Sequence, residues 1–381
     1  MKLITFLGKG PYHSVIYQWG EHEKETEFFA EALAEWLQPK EVCVMLTEGA
    51  QESGNWEKLE SRLQKRRLEI LKVPIPDGKD ESELWQIFQR VADTVEIGDE
   101  LVFDITHGFR SIPVLGLLAV AYLKQVKRVQ IRYLLYGALE AVPREEARKP
   151  VFDLTPFAEL LDWLTAVKMF IATGNASELA DLLDEAQNNA HRRSLPEPPK
   201  ALKPIARWLR SVSESLMVCQ APYVGSEIRE LITKIEQGEP EIHQWTQPLV
   251  PLLETVKQTY APYIPNNLET HRALIGWYLE RSHAMQAITL MREWLVSYQC
   301  RLEGKDPELM RHREAAEDTL NSLERNTRNG QHREELVDLW GSVSNLRNRI
   351  AHCGCGRSEQ VEGVLQQASE LYQRLCRLPI P

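Results

Sequence analysis

Residues 100–126 read ELVFDITHGFRSIPVLGLLAVAYLKQV. The first six form a near-continuous apolar run of strand length, and the stretch 111–126 has the length and composition of a helix. Between them lies a polar, glycine-bearing turn, Thr106-His107-Gly108-Phe109-Arg110. A strand that runs through such a turn into a helix is half of a parallel crossover unit, and that unit predicts an α/β domain.

The same alternation extends outward in both directions. Strands are expected at 2–7, 41–46, 68–75 and 129–136, and helices at 23–37, 56–67 and 82–95. In the first helix Phe28, Phe29, Ala32, Leu33, Trp36 and Leu37 fall at helical spacing. The expectation for residues 1–150 is a Rossmann-like, doubly wound parallel sheet. Residues 150–156 read as a linker ending in a helix start, with Asp153 or Thr155 as cap and Pro156 in the first turn. From there to residue 381 the pattern is all-α. Helices are expected at 157–172, 176–189, 203–218, 225–237, 247–260, 270–301, 307–324, 334–351 and 360–375. No internal repeat or low-complexity tract interrupts them.

The chain has 381 residues, 43% hydrophobic and 26% charged, which fits two or three globular domains and excludes disorder as the main state. With 45 Lys+Arg against 55 Asp+Glu the net charge is −10, which argues against a protein that coats nucleic acid non-specifically. The six cysteines follow no framework spacing, and no apolar run reaches membrane-span length. The expectation is a cytoplasmic protein with free thiols and no membrane association.

Open parallel sheets bind ligands beyond the carboxyl ends of their strands, where helix N-termini offer free N–H groups. Two segments belong at such ends. One is Gly8-Lys9-Gly10-Pro11-Tyr12 and the other is Thr106 to Ser111. Gly8, Gly10 and Gly108 allow close backbone approach, Thr106 and Ser111 supply hydroxyls, and His107 and Arg110 supply donors or positive charge. Thr47, after the second strand, belongs to the same rim. Such a set suits phosphate or ribose recognition without a metal. The plainer alternative is that Asp104-Ile105-Thr106 is a helix cap and Gly8-Lys9-Gly10 an ordinary turn, since it is neither a dinucleotide fingerprint nor a P-loop.

A second polar cluster closes the helix at 334–351, in Arg347-Asn348-Arg349-Ile350-Ala351-His352. Asn348 and His352 are four apart and share a face; Arg347 and His352 lie roughly 140° apart around the helix. A two-fold partner presenting the same helix would bring them closer. The chemistry that fits is metal-independent RNA cleavage, in which histidine manages protons and arginine holds non-bridging oxygens. The plainer alternative is a basic helix end whose arginines offset the dipole and whose histidine caps carbonyls. Cys353 and Cys355 beside His352 fit no structural-zinc spacing, so no metal is assigned. Trp277 and Trp294 read as core, and Glu293 as helix surface charge or a lining residue of the cleft.

Taken together, these motifs make the chain resemble the CRISPR-associated ancillary ribonucleases of type III systems, with an N-terminal CARF sensor and a C-terminal HEPN nuclease. The resemblance rests on Phe6-Leu7-Gly8-Lys9-Gly10 with Tyr12, on Asp104-Ile105-Thr106-His107-Gly108-Phe109-Arg110-Ser111, and on Arg347-Asn348-Arg349-Ile350-Ala351-His352. Phe152-Asp153-Leu154-Thr155 followed by Trp163 is similar to the family's interdomain start, whereas residues 190–270 carry no specific resemblance. It implies a CARF domain over 1–150, connecting helices over about 151–265 and a HEPN core over about 266–381. It also implies a homodimer, or a higher homo-oligomer, that binds a cyclic oligoadenylate as allosteric activator and cuts single-stranded RNA without a cofactor. The implied ligand contacts are Gly8, Gly10, Thr106, His107, Gly108, Arg110 and Ser111, to which Tyr12 and Thr47 are added as candidate ligand-binding residues of the same crevice, and the implied catalytic residues are Arg347, Asn348 and His352. Two other readings stay open, a ligand-controlled regulator without catalysis and a toxin-type HEPN ribonuclease that ignores cyclic oligoadenylates. A dinucleotide-dependent enzyme is disfavoured, because the third glycine and downstream acid are missing.

Overall fold

The computed structural model describes residues 1–107, 112–143, 146–192, 197–245, 247–327, 335–351 and 361–381. The chain divides into two compact units, Met1–Asp162 and Trp163–Pro381.

Among its described residues the first unit is built on eight strands: β1 (Lys2–Leu7), β2 (Val15–Trp19), β3 (His22–Thr26), β4 (Glu41–Leu46), β5 (Glu69–Pro74), β6 (Glu100–Asp104), β7 (Gln130–Gly137) and β8 (Arg148–Asp153). Their order across the sheet is β3-β2-β8-β7-β6-β1-β4-β5. The five expected strands form the parallel part, β7-β6-β1-β4-β5, with Lys2 opposite Glu41 and Leu101. Successive residues of β1 are buried on opposite faces. Ile4 and Phe6 pack with α4 (Glu81–Asp93) and α5 (Ile112–Lys127), through Ile87, Val91, Ala119 and Val120. Leu3 and Leu7 pack with α1 (Phe29–Leu37) and α3 (Asn55–Gln64), through Phe29, Leu33, Leu59 and Leu63. Burial on both faces is why these strands read as continuous apolar runs. A short α2 (Glu48–Glu52) follows β4.

The sheet is mixed rather than wholly parallel. Residues 23–26, expected as the start of a helix, instead belong to β3, paired antiparallel with β2 across Trp19 and His22. That register leaves a two-residue loop, Gly20-Glu21, and Gly20 takes φ +58°, as tight hairpins require. Glu23, Lys24 and Glu25 are helix-prone residues held in a strand by pairing, so tertiary context overrides propensity here. The expected linker at 150–156 is largely β8, antiparallel to β7 and parallel to β2. Asp153 Oδ1 accepts from the Thr155 N–H at 2.9 Å, where the next helix, α6 (Thr155–Thr173), begins. The division between the two units falls within α6.

The second unit is helical among its described residues. It comprises α7 (Ser177–Arg192), α8 (Leu202–Met217), α9 (Ala221–Trp245), α10 (Val250–Tyr260), α11 (Leu268–Glu280), α12 (Ala284–Leu302), α13 (Met310–Thr327), α14 (Glu335–Ala351) and α15 (Val361–Cys376). Trp277 and Trp294 are buried in its core, and Trp294 donates to the Leu268 carbonyl at 2.7 Å. The single helix expected at 270–301 is two, broken at 281–283, where Ser282 takes φ +60°. Arg281 secures the break by stacking on Trp277 at 4.2 Å and donating to the Ile171 carbonyl at 3.0 Å.

Candidate functional site

A cavity of about 1040 Å³ opens beyond the carboxyl ends of β1, β4 and β6. Gly8, Gly10, Tyr12, Thr47, Thr106 and His107, drawn from three separate stretches of sequence, all line it. Gly108, Arg110 and Ser111 lie outside the described residues. The strands bring these groups together because parallel pairing puts all their carboxyl ends at one edge.

Hydrogen bonds fix the floor. Asp104, fully buried, accepts from the Thr5 hydroxyl at 2.7 Å and the Thr106 N–H at 2.8 Å. Thr106 in turn accepts from the Gly137 N–H at 2.8 Å, tying the turn to the end of β7. The Asp-x-Thr element is therefore a structural knot, with the Thr106 side chain as well as its N–H bonded to Asp104. Thr47 caps α2 through the Ala50 N–H at 3.2 Å. The Tyr12 hydroxyl accepts from the Gly8 N–H at 2.8 Å, and its ring meets His107 edge-on at 4.6 Å.

Burial sets the protonation of this floor. It pushes the His107 imidazole down to about 4, so the ring is neutral at pH 7 and pairs with the Tyr17 hydroxyl at 3.4 Å. It pushes Tyr12 up to about 12 and Asp104 above the usual carboxylate range, the latter despite its bonds to Thr106 and Thr5. His107 thus offers a hydrogen bond rather than the positive charge that the sequence permitted.

Three further residues shape the cavity without having been legible as motifs. Asn55 donates from one amide to the carbonyls of both Gly8 and Gly10. Gly137 admits the Tyr17 ring, since a Cβ there would sit 2.8 Å from it. Lys149 reaches the wall from β8. Gly10 has nothing within 4 Å of its missing Cβ, so the fold itself does not require a glycine there and the space is open to a ligand.

In the second unit Arg347 and Asn348 are both exposed near the end of α14, and Arg347 Nη1 donates to Asn348 Oδ1 at 3.2 Å. His352, Cys353 and Cys355 lie outside the described residues. Glu293 is held by Arg292 at 2.7 Å and Arg313 at 2.6 Å, so its carboxylate is committed to ion pairs. Among the described residues no cluster of three His, Cys, Asp or Glu side chains could hold a metal, and no helix is long and apolar enough to cross a membrane.

Comparison with known proteins finds similarities for parts of the chain. Residues 2–140 match the family described as CRISPR system endoribonuclease Csx1, CARF domain. Residues 159–264, which include most of the stretch 190–270 that carried no specific resemblance, match the second domain of CRISPR-associated protein MJ1674. That protein, from Methanocaldococcus jannaschii, is 26% identical over 181 residues, 43% of this chain and 28% of its own length. The chain therefore spans little more than a quarter of the curated relative it matches. The crevice lies in the unit that carries the CARF match, and the two matches together support a CRISPR-associated protein with a CARF domain.

Proposed function

We propose that the protein is a metal-independent single-strand endoribonuclease of type III CRISPR defence, switched on by a cyclic oligoadenylate held in the crevice. The observation that carries this reading is the convergence of Gly8, Gly10, Thr106 and His107 on one cavity within the Csx1-like CARF match. The cavity is large enough for a nucleotide ligand. Its open glycine at position 10 suits close backbone approach to phosphate, and the neutral His107 suits hydrogen bonding to a base or sugar.

The cutting site is assigned to Arg347, Asn348 and His352. RNA supplies its own nucleophile. A 2′-OH attacks the adjacent phosphorus, its proton passes to a base, and the 5′-oxygen leaves with a proton from an acid, giving 2′,3′-cyclic phosphate and 5′-hydroxyl ends. His352 fits the proton-handling role and Arg347 the stabilisation of charge on the phosphorane, with Asn348 bonded to Arg347 and holding its fork. This assignment rests on the motif and on the exposure of Arg347 and Asn348.

A homodimer is part of the same reading. Val114, Leu118, Tyr122 and Val126 recur every fourth residue along α5 and are 62%, 53%, 44% and 54% exposed. One helix face therefore presents an apolar ridge, on the helix that follows the crevice turn, and such ridges mark association surfaces. Equilibrium binding of labelled cyclic tetra- and hexa-adenylate, followed by RNA cleavage in EDTA, tests the reading. Binding without cleavage would favour the regulator without catalysis, and cleavage indifferent to either ring the ungated ribonuclease.

A further inference from the structure

Among the described residues, Lys149 is the one cationic side chain that is buried, at 4% exposure. It stands on β8 opposite Tyr17 of β2 and lines the crevice wall. Its Nζ donates to the Pro143 carbonyl at 2.7 Å, and among the described residues no carboxylate comes within ion-pair distance of it. An ammonium has three donors, and a single carbonyl leaves most of that charge uncompensated in a low-dielectric wall.

Several half-buried cations of this unit face carboxylates instead, although Lys127 donates to the Ala92 and Val95 carbonyls and Lys72 lies over the Trp56 ring. Lys2 contacts Glu41 and Asp99 at 3.2 Å each, Arg62 holds Glu27 and Glu31, and Lys124 holds Asp162. The two carboxylates that line the crevice are also occupied. Glu27 pairs with Arg62, and Glu140 accepts from the Tyr136 hydroxyl at 3.0 Å. His107, neutral at pH 7, supplies no charge of either sign. The wall thus carries a buried positive charge whose counter-ion is missing from the described residues.

We propose that Lys149 is a ligand-contacting residue of the crevice, and that its counter-ion is a phosphodiester of the bound nucleotide. This deepens the cyclic oligoadenylate reading and rests on it. The Pro143 carbonyl holds the ammonium at the wall, and the two remaining N–H groups meet non-bridging oxygens of the ligand. A charge-assisted bond in a water-poor wall contributes more than an exposed lysine would, and favours the anionic ring over neutral nucleosides.

The test uses the full chain and labelled cyclic tetra-adenylate, cyclic hexa-adenylate, linear oligoadenylate and adenosine, at low and high salt. Lys149→Met is expected to lose roughly ten- to hundred-fold in affinity for whichever ring the wild type prefers, with a flatter salt dependence. Lys149→Gln keeps a donor for the Pro143 carbonyl without the charge. It is expected to lose nearly as much, and it carries the test should the methionine variant fail to fold. Affinity of both variants within two-fold of wild type, at unchanged salt dependence, overturns the proposal and leaves Lys149 a clamp for its loop. If the wild type binds none of the phosphate-bearing probes, the crevice reading itself fails and this assignment falls with it.

Discussion

Asn55 Nδ2 donates to the carbonyls of Gly8 and Gly10, each at 3.0 Å, so one amide from the start of α3 holds the glycine turn that follows β1. Asn55 is buried, at 6% exposure, and its amide ties the Gly8 and Gly10 carbonyls to α3. Asn55→Ala should therefore cost about 1–3 kcal/mol in denaturant unfolding and weaken ligand binding. Asn55→Asp, which sets a carboxylate against two carbonyl oxygens, should do worse than alanine. Equal stability of the two variants would show that the bonds do not hold the turn.

His107 makes stability pH-dependent in a stated direction. Its folded imidazole titrates at about 4, below the ordinary 6.5, because burial penalises the charged ring. Between these values the unfolded chain takes up a proton that the folded site refuses. Stability is thus complete above about pH 6.5 and falls as pH drops toward 4, by roughly 3 kcal/mol in total. Asp104, pushed upward by burial, works in the opposite sense above the ordinary carboxylate range, so wild type alone gives a mixed curve. The informative quantity is the difference between wild type and His107→Gln. Urea midpoints at pH 7 and 4.5 should fall further in wild type, and parallel curves would contradict the assignment.

Gly137 gives a steric test of the same floor. An added Cβ would meet Tyr17 Cε1 at 2.8 Å and Thr106 Cγ2 at 3.2 Å. The Tyr17 ring is buried and cannot retreat freely, so Gly137→Ala should destabilise by about 1–3 kcal/mol and disturb the Tyr17–His107 contact. Thermal unfolding with and without ligand separates the two effects. A variant with wild-type stability and affinity would mean that the floor tolerates repacking.

The ridge on α5 predicts an oligomer. Leu118→Glu with Tyr122→Glu should convert a dimer to a folded monomer in sedimentation velocity, because both positions are exposed in the single chain. A wild type that sediments as a monomer at micromolar concentration would remove the ridge from the account.

Much of the crevice was legible because its strands are buried on both faces and so read as apolar runs, and because polar turns follow β1 and β6 directly. The hairpin of β2 and β3 was not, since Glu23, Lys24 and Glu25 carry helix propensity and only pairing holds them extended. Asn55 and Lys149 were invisible for a related reason. Each acts on a turn or cavity distant in sequence, and neither sits in a local pattern that marks its role. Arg347 and Asn348, read from the sequence as catalytic residues at a helix end, are exposed there, and exposure does not distinguish a cutting site from a basic cap.

The most direct test is cleavage of a labelled single-stranded RNA in EDTA, with and without each cyclic oligoadenylate, by wild type and His352→Ala. The account predicts cutting by wild type only when a ring is added, 2′,3′-cyclic phosphate ends on the products, and loss of activity by at least roughly a hundred-fold in the variant. Cleavage that needs a divalent metal, proceeds equally without a ring, or survives His352→Ala would contradict it.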